Sequence, residues 1–246
     1  MAKSGGDRIA GRRLAVRVTS ARRRKPSSTE WLARQLNDPF VAEARRLGYR
    51  SRAAFKLIQL DARFRLLAPG RHVVDLGCAP GGWTQVAVQL VGAASGQGRA
   101  GQGRAGQGRA GRGKIVGIDL LATDAVPGAT LLTGDFRDPA TAEAIRDALG
   151  GPADLVLSDM AAPATGHAPT DHLRIVALAE DAFAFAATIL KPGGIFVAKV
   201  FQGGTEGALL ALLKRAFAEV RHAKPAASRA ESAETYVVAK GFRAGA

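Results

Sequence analysis

At 246 residues and 47% hydrophobic composition, the chain is long enough for one well-buried α/β domain with appendages and too short for two full-sized domains to be expected. Its 35 Lys and Arg residues against 21 Asp and Glu give a formal charge of +14, which suits a polyanion such as nucleic acid or an acidic membrane surface. A membrane span of roughly 20 apolar residues is excluded, as are an internal disulfide, with Cys78 the only cysteine, and metal ligation by the scattered His72, His167, His172 and His222.

The start of the chain lacks the apolar core of a secretory signal, so a soluble cytoplasmic protein with no membrane partner is expected, and a monomer. Residues 1–28 carry Lys3, Arg8, Arg12, Arg13, Arg17, Arg22, Arg23, Arg24 and Lys25 against the single acid Asp7, with no apolar periodicity to bury. They read as a disordered basic arm. Three roles stay open for it: phosphate contact on RNA, a solvated tail, or an acid-poor organelle transit peptide.

From Trp31 to Phe64 the apolar spacing is helical, with breaks near Asp38-Pro39 and at Gly48. The stretch Tyr49-Arg50-Ser51-Arg52-Ala53-Ala54-Phe55-Lys56 gathers positive charge around aromatic rings, and Ser51 is the expected N-cap of the helix that carries Lys56. Apolar strands then alternate with helical stretches. Strands are expected at 72–76, 115–119, 130–132, 154–158, 194–200, 218–222 and 235–240, and helices at 81–91, 138–148, 171–190 and 205–217. That alternation predicts a doubly wound, mostly parallel sheet covered on both faces, with ligands at the carboxyl ends of its strands.

After the first strand the sequence reads Asp75-Leu76-Gly77-Cys78-Ala79-Pro80-Gly81-Gly82-Trp83, a glycine-punctuated turn that opens a helix. It brings backbone N–H groups to a helix start, where a nucleoside cofactor can approach closely, and it is equally readable as a tight connection. Residues 96–110 repeat Gly-Gln-Gly-Arg-Ala three times and match a dinucleotide fingerprint by pattern. The match is false, because the repeat follows a helix and leads into a strand. A phosphate loop at Gly108 to Lys114 fails as well, with Ile115 where a Ser or Thr is needed. A tract this rich in glycine is expected as a flexible surface loop over 95–113.

Asp75, Asp119, Asp135 and Asp159 each fall at or just past a strand end. Alone, each is explained by a cap or turn role. Together they suit adenosine, with a carboxylate after the second strand accepting from the ribose hydroxyls and one after the third from the adenine amino group. Asp75 inside the turn would repel a pyrophosphate and suits the cationic methionine end of S-adenosyl-L-methionine, which favours methyl transfer over hydride transfer.

Six ordered motifs now stand together: Ser51 to Leu57, Asp75 to Trp83, Gly134 to Asp138, Ser158 to Ala161, Val197 to Gly203 and Ser232 to Tyr236. Over residues 30–243 the chain resembles the FtsJ/RrmJ-type ribosomal RNA large-subunit 2′-O-methyltransferases. The resemblance implies a methyltransferase domain at 29–243 followed by a short tail, 244–246. It implies a Rossmann-like seven-stranded sheet with an antiparallel last strand, S-adenosyl-L-methionine as cofactor, and a uridine ribose of 23S rRNA in the 50S particle as substrate.

It further implies a catalytic tetrad at Lys56, Asp159, Lys199 and Glu234, and cofactor contacts at Gly77, Gly81, Gly82, Trp83, Asp75, Asp119, Asp135 and Asp159. The chemistry agrees: a ribose hydroxyl must lose its proton while aligned with the methyl donor, which calls for a base and nearby cations. Lys199 is the expected base, for a lysine works as one in the neutral form that a second cation and exclusion of water favour. Cys78 sits in the cofactor turn rather than at a target base, and Asp159-Met160-Ala161-Ala162 lacks the Pro-Pro-aromatic turn of amino-group enzymes. The chain departs from the family at Ala162-Pro163, which edges the site. A non-catalytic RNA-binding or assembly factor of the same fold is the alternative reading, and the complete tetrad argues against it.

Overall fold

The structure is a computed structural model that describes residues 32–33, 35–93, 113–163, 165–202 and 207–244. The basic arm and the repeat loop, apart from Gly113, lie outside the described residues.

Helices α1 (Pro39–Leu47) and α2 (Ala54–Phe64) lead into the sheet. Helix α1 has proline in its first turn, where no N–H is needed, and Asp38 caps it by accepting the Phe40 N–H at 3.0 Å. Gly48 closes it in the left-handed conformation. Helix α2 starts differently from expectation: its N-cap is Ala53, in helical conformation and without a side-chain bond. A side-chain cap needs extended backbone at that position, and the turn entering α2 is already helical there. The Ser51 hydroxyl is instead buried against Gly82, where a Cβ would lie 2.4 Å from it.

The remaining elements are β1 (His72–Leu76), α3 (Gly82–Val91), β2 (Lys114–Asp119), β3 (Thr130–Thr133), α4 (Pro139–Leu149), β4 (Ala153–Ser158), α5 (Ala168–Ile189), β5 (Leu190–Phe201), α6 (Gly207–Ala216), β6 (Phe217–Ala223) and β7 (Glu234–Phe242). The sheet order is β3-β2-β1-β4-β5-β7-β6. Only β7 runs antiparallel, against both β5 and β6. Strand order reverses between β1 and β4, the crevice where such sheets collect ligands. The expected seven-stranded fold is therefore the observed one. Strand β5 begins earlier than expected, because Leu190 pairs with Ala153 ahead of a register shift.

Central strands bury both faces, so alternate residues feed two cores. Val73, Leu155 and Leu157 pack with Leu57 and Leu60 of α2 and Val86 and Val88 of α3. Val74, Val156 and Phe196 pack on the other face with Ile145 of α4, Phe185 of α5 and Leu213 of α6. This double layer leaves the carboxyl edge of the sheet as the place where polar side chains converge.

Candidate active site

The turn after β1 is pressed between neighbouring segments. Gly77 adopts φ 76°, and a Cβ there would stand 2.4 Å from Met160 Cγ, so no larger residue lets β1 end against the Asp159-Met160 turn. Gly81 lies beside Arg50, whose guanidinium donates to the carbonyls of Pro80, Asp124 and Ala125 at 3.2, 2.6 and 2.7 Å. One arginine thus ties the turn to the segment after β2.

Beside this turn a cavity of about 680 Å³ is lined by Gly77, Ala79, Asp119, Leu120, Leu121, Gly134, Asp135, Phe136, Asp159, Met160 and Pro163, with Arg174 and Asp181 contributed by α5. Its volume falls in the range of small-molecule sites, roughly 300–1,000 Å³. The Asp119 carboxylate is held by the Ala79 N–H at 3.0 Å and the Leu121 N–H at 2.9 Å. Asp135 is gripped by Arg137, which reaches it at 2.6 Å and extends to Asp181 at 3.4 Å. The hydrogen bonds from Arg137 hold the Asp135 carboxyl below its ordinary value. A carboxylate has about four acceptor positions, so Asp119, which accepts two hydrogen bonds, keeps capacity for a ligand, whereas Asp135 accepts four from Arg137 and takes a ligand donor in exchange for one of them. Carboxylates for hydroxyl and amino donors, with apolar walls at Leu120, Phe136 and Met160, fit the adenosine half of S-adenosylmethionine.

Four of the eight expected cofactor residues, Gly77, Asp119, Asp135 and Asp159, line the cavity. The other four stand behind its wall. Trp83 is buried, donates its indole N–H to the Ala53 carbonyl at 2.8 Å, and packs against the Tyr236 ring. Gly82 faces Ser51, and Gly81 faces Arg50.

Asp75 departs most from expectation: its carboxyl is fully buried, with one oxygen accepting the Thr84 hydroxyl at 2.7 Å and the other without a partner among the described residues. Asp75 lies in a central strand flanked by β2 and β4, which shuts out solvent. Burial pushes its pKa up to about 7.

The four expected catalytic residues, in contrast, meet. Lys56 comes from the first turn of α2, Asp159 follows β4, Lys199 lies near the end of β5, and Glu234 opens β7. Lys199 Nζ donates to the Asp159 carboxylate at 3.0 Å and to its backbone carbonyl at 2.7 Å. Lys56 Nζ pairs with Glu234 at 2.8 Å and stands 3.6 Å from the second Asp159 oxygen. Both lysines are buried, at 8% and 7% exposure, so water screens these charges little. Burial alone would raise the Asp159 carboxyl, but Lys199 and Lys56, with the hydrogen bonds from Tyr236 and Lys199, hold it below its ordinary value.

Two further side chains belong to this cluster. Tyr236 donates its hydroxyl to Asp159 at 2.6 Å and sits under the Lys56 ammonium, 5.7 Å from its ring centre. Burial, then the charges of Asp159 and Glu234, push its phenol well above the ordinary value, so it stays a donor. Strand alternation could have found it, two residues after Glu234 and hence on the same face. Ser228 donates to Glu234 at 2.6 Å from the β6–β7 connection, whose Ala227 carbonyl is held by Arg52. No sequence pattern marks Ser228, since its role depends on how that connection folds back.

Comparison with known proteins agrees with this fold. Residues 49–242 match the model of the FtsJ-like methyltransferase family. A protein of Paramagnetospirillum magneticum called ribosomal RNA large subunit methyltransferase E is 62% identical over 232 residues, covering 94% of this chain and 90% of that one. Its namesake in Azorhizobium caulinodans is 58% identical over 235 residues, covering 96% and 92%. Among solved structures, a Plasmodium falciparum protein described as a ribosomal RNA methyltransferase superposes with a TM-score of 0.64 at 29% identity, over 79% of this chain and 98% of that one. The chain belongs to the FtsJ-like methyltransferase family and uses S-adenosylmethionine as its methyl donor.

Proposed function

We propose that the protein methylates the ribose 2′-hydroxyl of a uridine in large-subunit ribosomal RNA, acting on the assembled or nearly assembled particle. The observation that carries this reading is the convergence of Lys56, Lys199 and Glu234 around Asp159, which itself lines the cavity. Relatives named for large-subunit rRNA methylation, more than half identical over nearly the whole chain, supply the substrate class.

When bound, S-adenosylmethionine supplies an electrophilic methyl group. In its neutral form Lys199 removes the proton of the 2′-hydroxyl through the nitrogen lone pair, with Asp159 fixing the direction of its amine. Lys56 offsets the negative charge that grows on the ribose oxygen, and Glu234, held by Ser228, keeps Lys56 aimed. Asp119 would hold the cofactor ribose by accepting from its hydroxyls, and Asp135 would accept from the adenine amino group. Gly82 and Trp83 contribute backbone N–H groups at the start of α3, a place that suits a carboxylate, while Gly81 donates its N–H to the Cys78 carbonyl at 2.6 Å and fixes the turn. Asp75 anchors that start through Thr84. The exposed chain beside the site, including Ala162-Pro163, shapes the entry for RNA.

The test incubates the protein with labelled S-adenosylmethionine and large subunits from cells lacking the corresponding enzyme, then digests the rRNA to nucleosides. Label in 2′-O-methyluridine is the expected result. Label on a base, or none with folded protein, overturns the proposal.

A further inference from the structure

At the far end of α2 from the catalytic cluster lies a second cleft, about 390 Å³, formed by Arg63, Phe64, Arg65, Glu219, Arg221 and Lys240. Four cations face a single carboxylate there, and that carboxylate is paired with Arg221 at 3.0 Å. Lys240 Nζ donates to the Phe64 carbonyl at 2.9 Å, which pins β7 to the end of the helix, and Arg63 lies over the Phe64 ring. Among the described residues, neither Arg63 nor Arg65 has a carboxylate partner.

The backbone at Arg65 points to a role for its side chain. Helices α1, α3 and α4 end on Gly48, Gly92 and Gly150, each in the left-handed conformation that glycine adopts without strain. Helix α2 ends the same way on Arg65, at φ 54° and ψ 57°, the one non-glycine residue with positive φ among the described residues. A β-carbon there opposes folding, and such strain is characteristic of positions kept for function. Here it aims a guanidinium into a cationic cleft.

We propose that this cleft binds the phosphodiester backbone of the RNA substrate at a distance from the reacting ribose, an inference that rests on the function proposed above. Two elements join the cleft to the catalytic cluster. Along α2, Lys56 and Arg63 are separated by roughly 10 Å, and along β7, Tyr236 and Lys240 by roughly 13 Å. A single RNA can therefore touch both, and cations that grip phosphate while reading no base set register for the nucleotide in the active site. Arginine suits that task through its planar fork of donors.

Binding of naked large-subunit rRNA and of whole large subunits is measured against salt for the wild type, Arg65→Gly and the double variant Arg65→Gly/Arg221→Ala, together with methyl transfer. Arg65→Gly removes the charge and relaxes the backbone, so its thermal midpoint rises by about 2 °C. Its rRNA affinity falls about threefold and that of the double variant about tenfold, while the plot of log affinity against log salt flattens by roughly 0.7 to 0.9 for each phosphate no longer neutralised. KM for subunits rises in parallel, with kcat and S-adenosylmethionine affinity unchanged. Wild-type affinity and salt slope in folded variants overturn the proposal. So does weakened binding to whole subunits with unchanged binding to naked rRNA, which assigns the cleft to an acidic protein. If the wild type binds rRNA but methylates a base, the cleft stands and the ribose reading fails; if it methylates ribose and the variants bind normally, the reverse holds.

Discussion

Asp135 lines the cavity and Lys199 stands behind Asp159 in the lysine–carboxylate cluster, and the two fail in different ways when removed. Lys199→Ala is expected to lower kcat by at least about a thousandfold, toward the upper end of the range for loss of one proton-transfer group because Asp159 loses its closest ion partner as well. Its affinity for S-adenosylmethionine stays near the wild-type value. Asp135→Ala shows the inverse, a loss of cofactor affinity of about tenfold or more, since Asp135 touches none of the catalytic lysines. Equal cofactor loss in both, measured by calorimetry, contradicts the assignment. Ser228→Ala frees one oxygen of Glu234 and is expected to reduce kcat about three- to tenfold with cofactor affinity unchanged, and Ser228→Thr, which keeps the hydroxyl, restores it. No rescue by threonine shows that the hydroxyl is not what matters. Asp75 adds a pH dependence. Folding favours its protonated form, so its contribution to stability is full below about pH 4, declines as pH rises, and is gone above about 7. The shift corresponds to on the order of 4 kcal/mol. In the ligand-free protein Asp75→Asn should therefore raise the urea midpoint at pH 8 and leave little difference near pH 4; parallel pH profiles for the two proteins refute this.

At the scale of elements, the alternation of apolar strands and helical stretches was legible to within a few residues, because each central strand must be apolar on both faces and each helix on one. Carboxylates at strand ends were legible for the same reason, since strand ends are where burial stops. What the linear pattern did not carry was depth. Asp75 and Asp119 both lie toward the carboxyl ends of their strands, yet one is sealed between β2 and β4 and the other lines the cavity. Nor did it carry the cap of α2, where a serine at the right spacing meets a helical backbone and packs against glycine instead. The repeat at 96–110 connects α3 to β2, and its flanks are close: Gly113 abuts Val91, with a Cβ there only 2.6 Å from the Val91 carbonyl oxygen. Excising 96–110 should therefore leave the thermal midpoint within about 2 °C, as loop-length changes alter closure entropy by fractions of a kcal/mol. Loss of folded protein on excision shows that the repeat contributes to the domain.

For the whole molecule, charge and topology divide the work. A formal charge of +14 brings an RNA to the surface without choosing a nucleotide. The fold then gathers the four groups proposed to be catalytic from positions 56, 159, 199 and 234, separated by most of the domain's length. The resemblance named those residues, and their meeting could not be read from spacing alone, because it depends on β7 returning antiparallel beside β5 with Tyr236 opposite Lys199. That reversed strand separates the two halves of the site along the chain. Every residue that lines the cavity lies before β5, whereas Glu234 and Tyr236 come from β7, so a substitution that unseats β7 alone should disperse the lysine–carboxylate cluster while leaving the lining residues on their own elements.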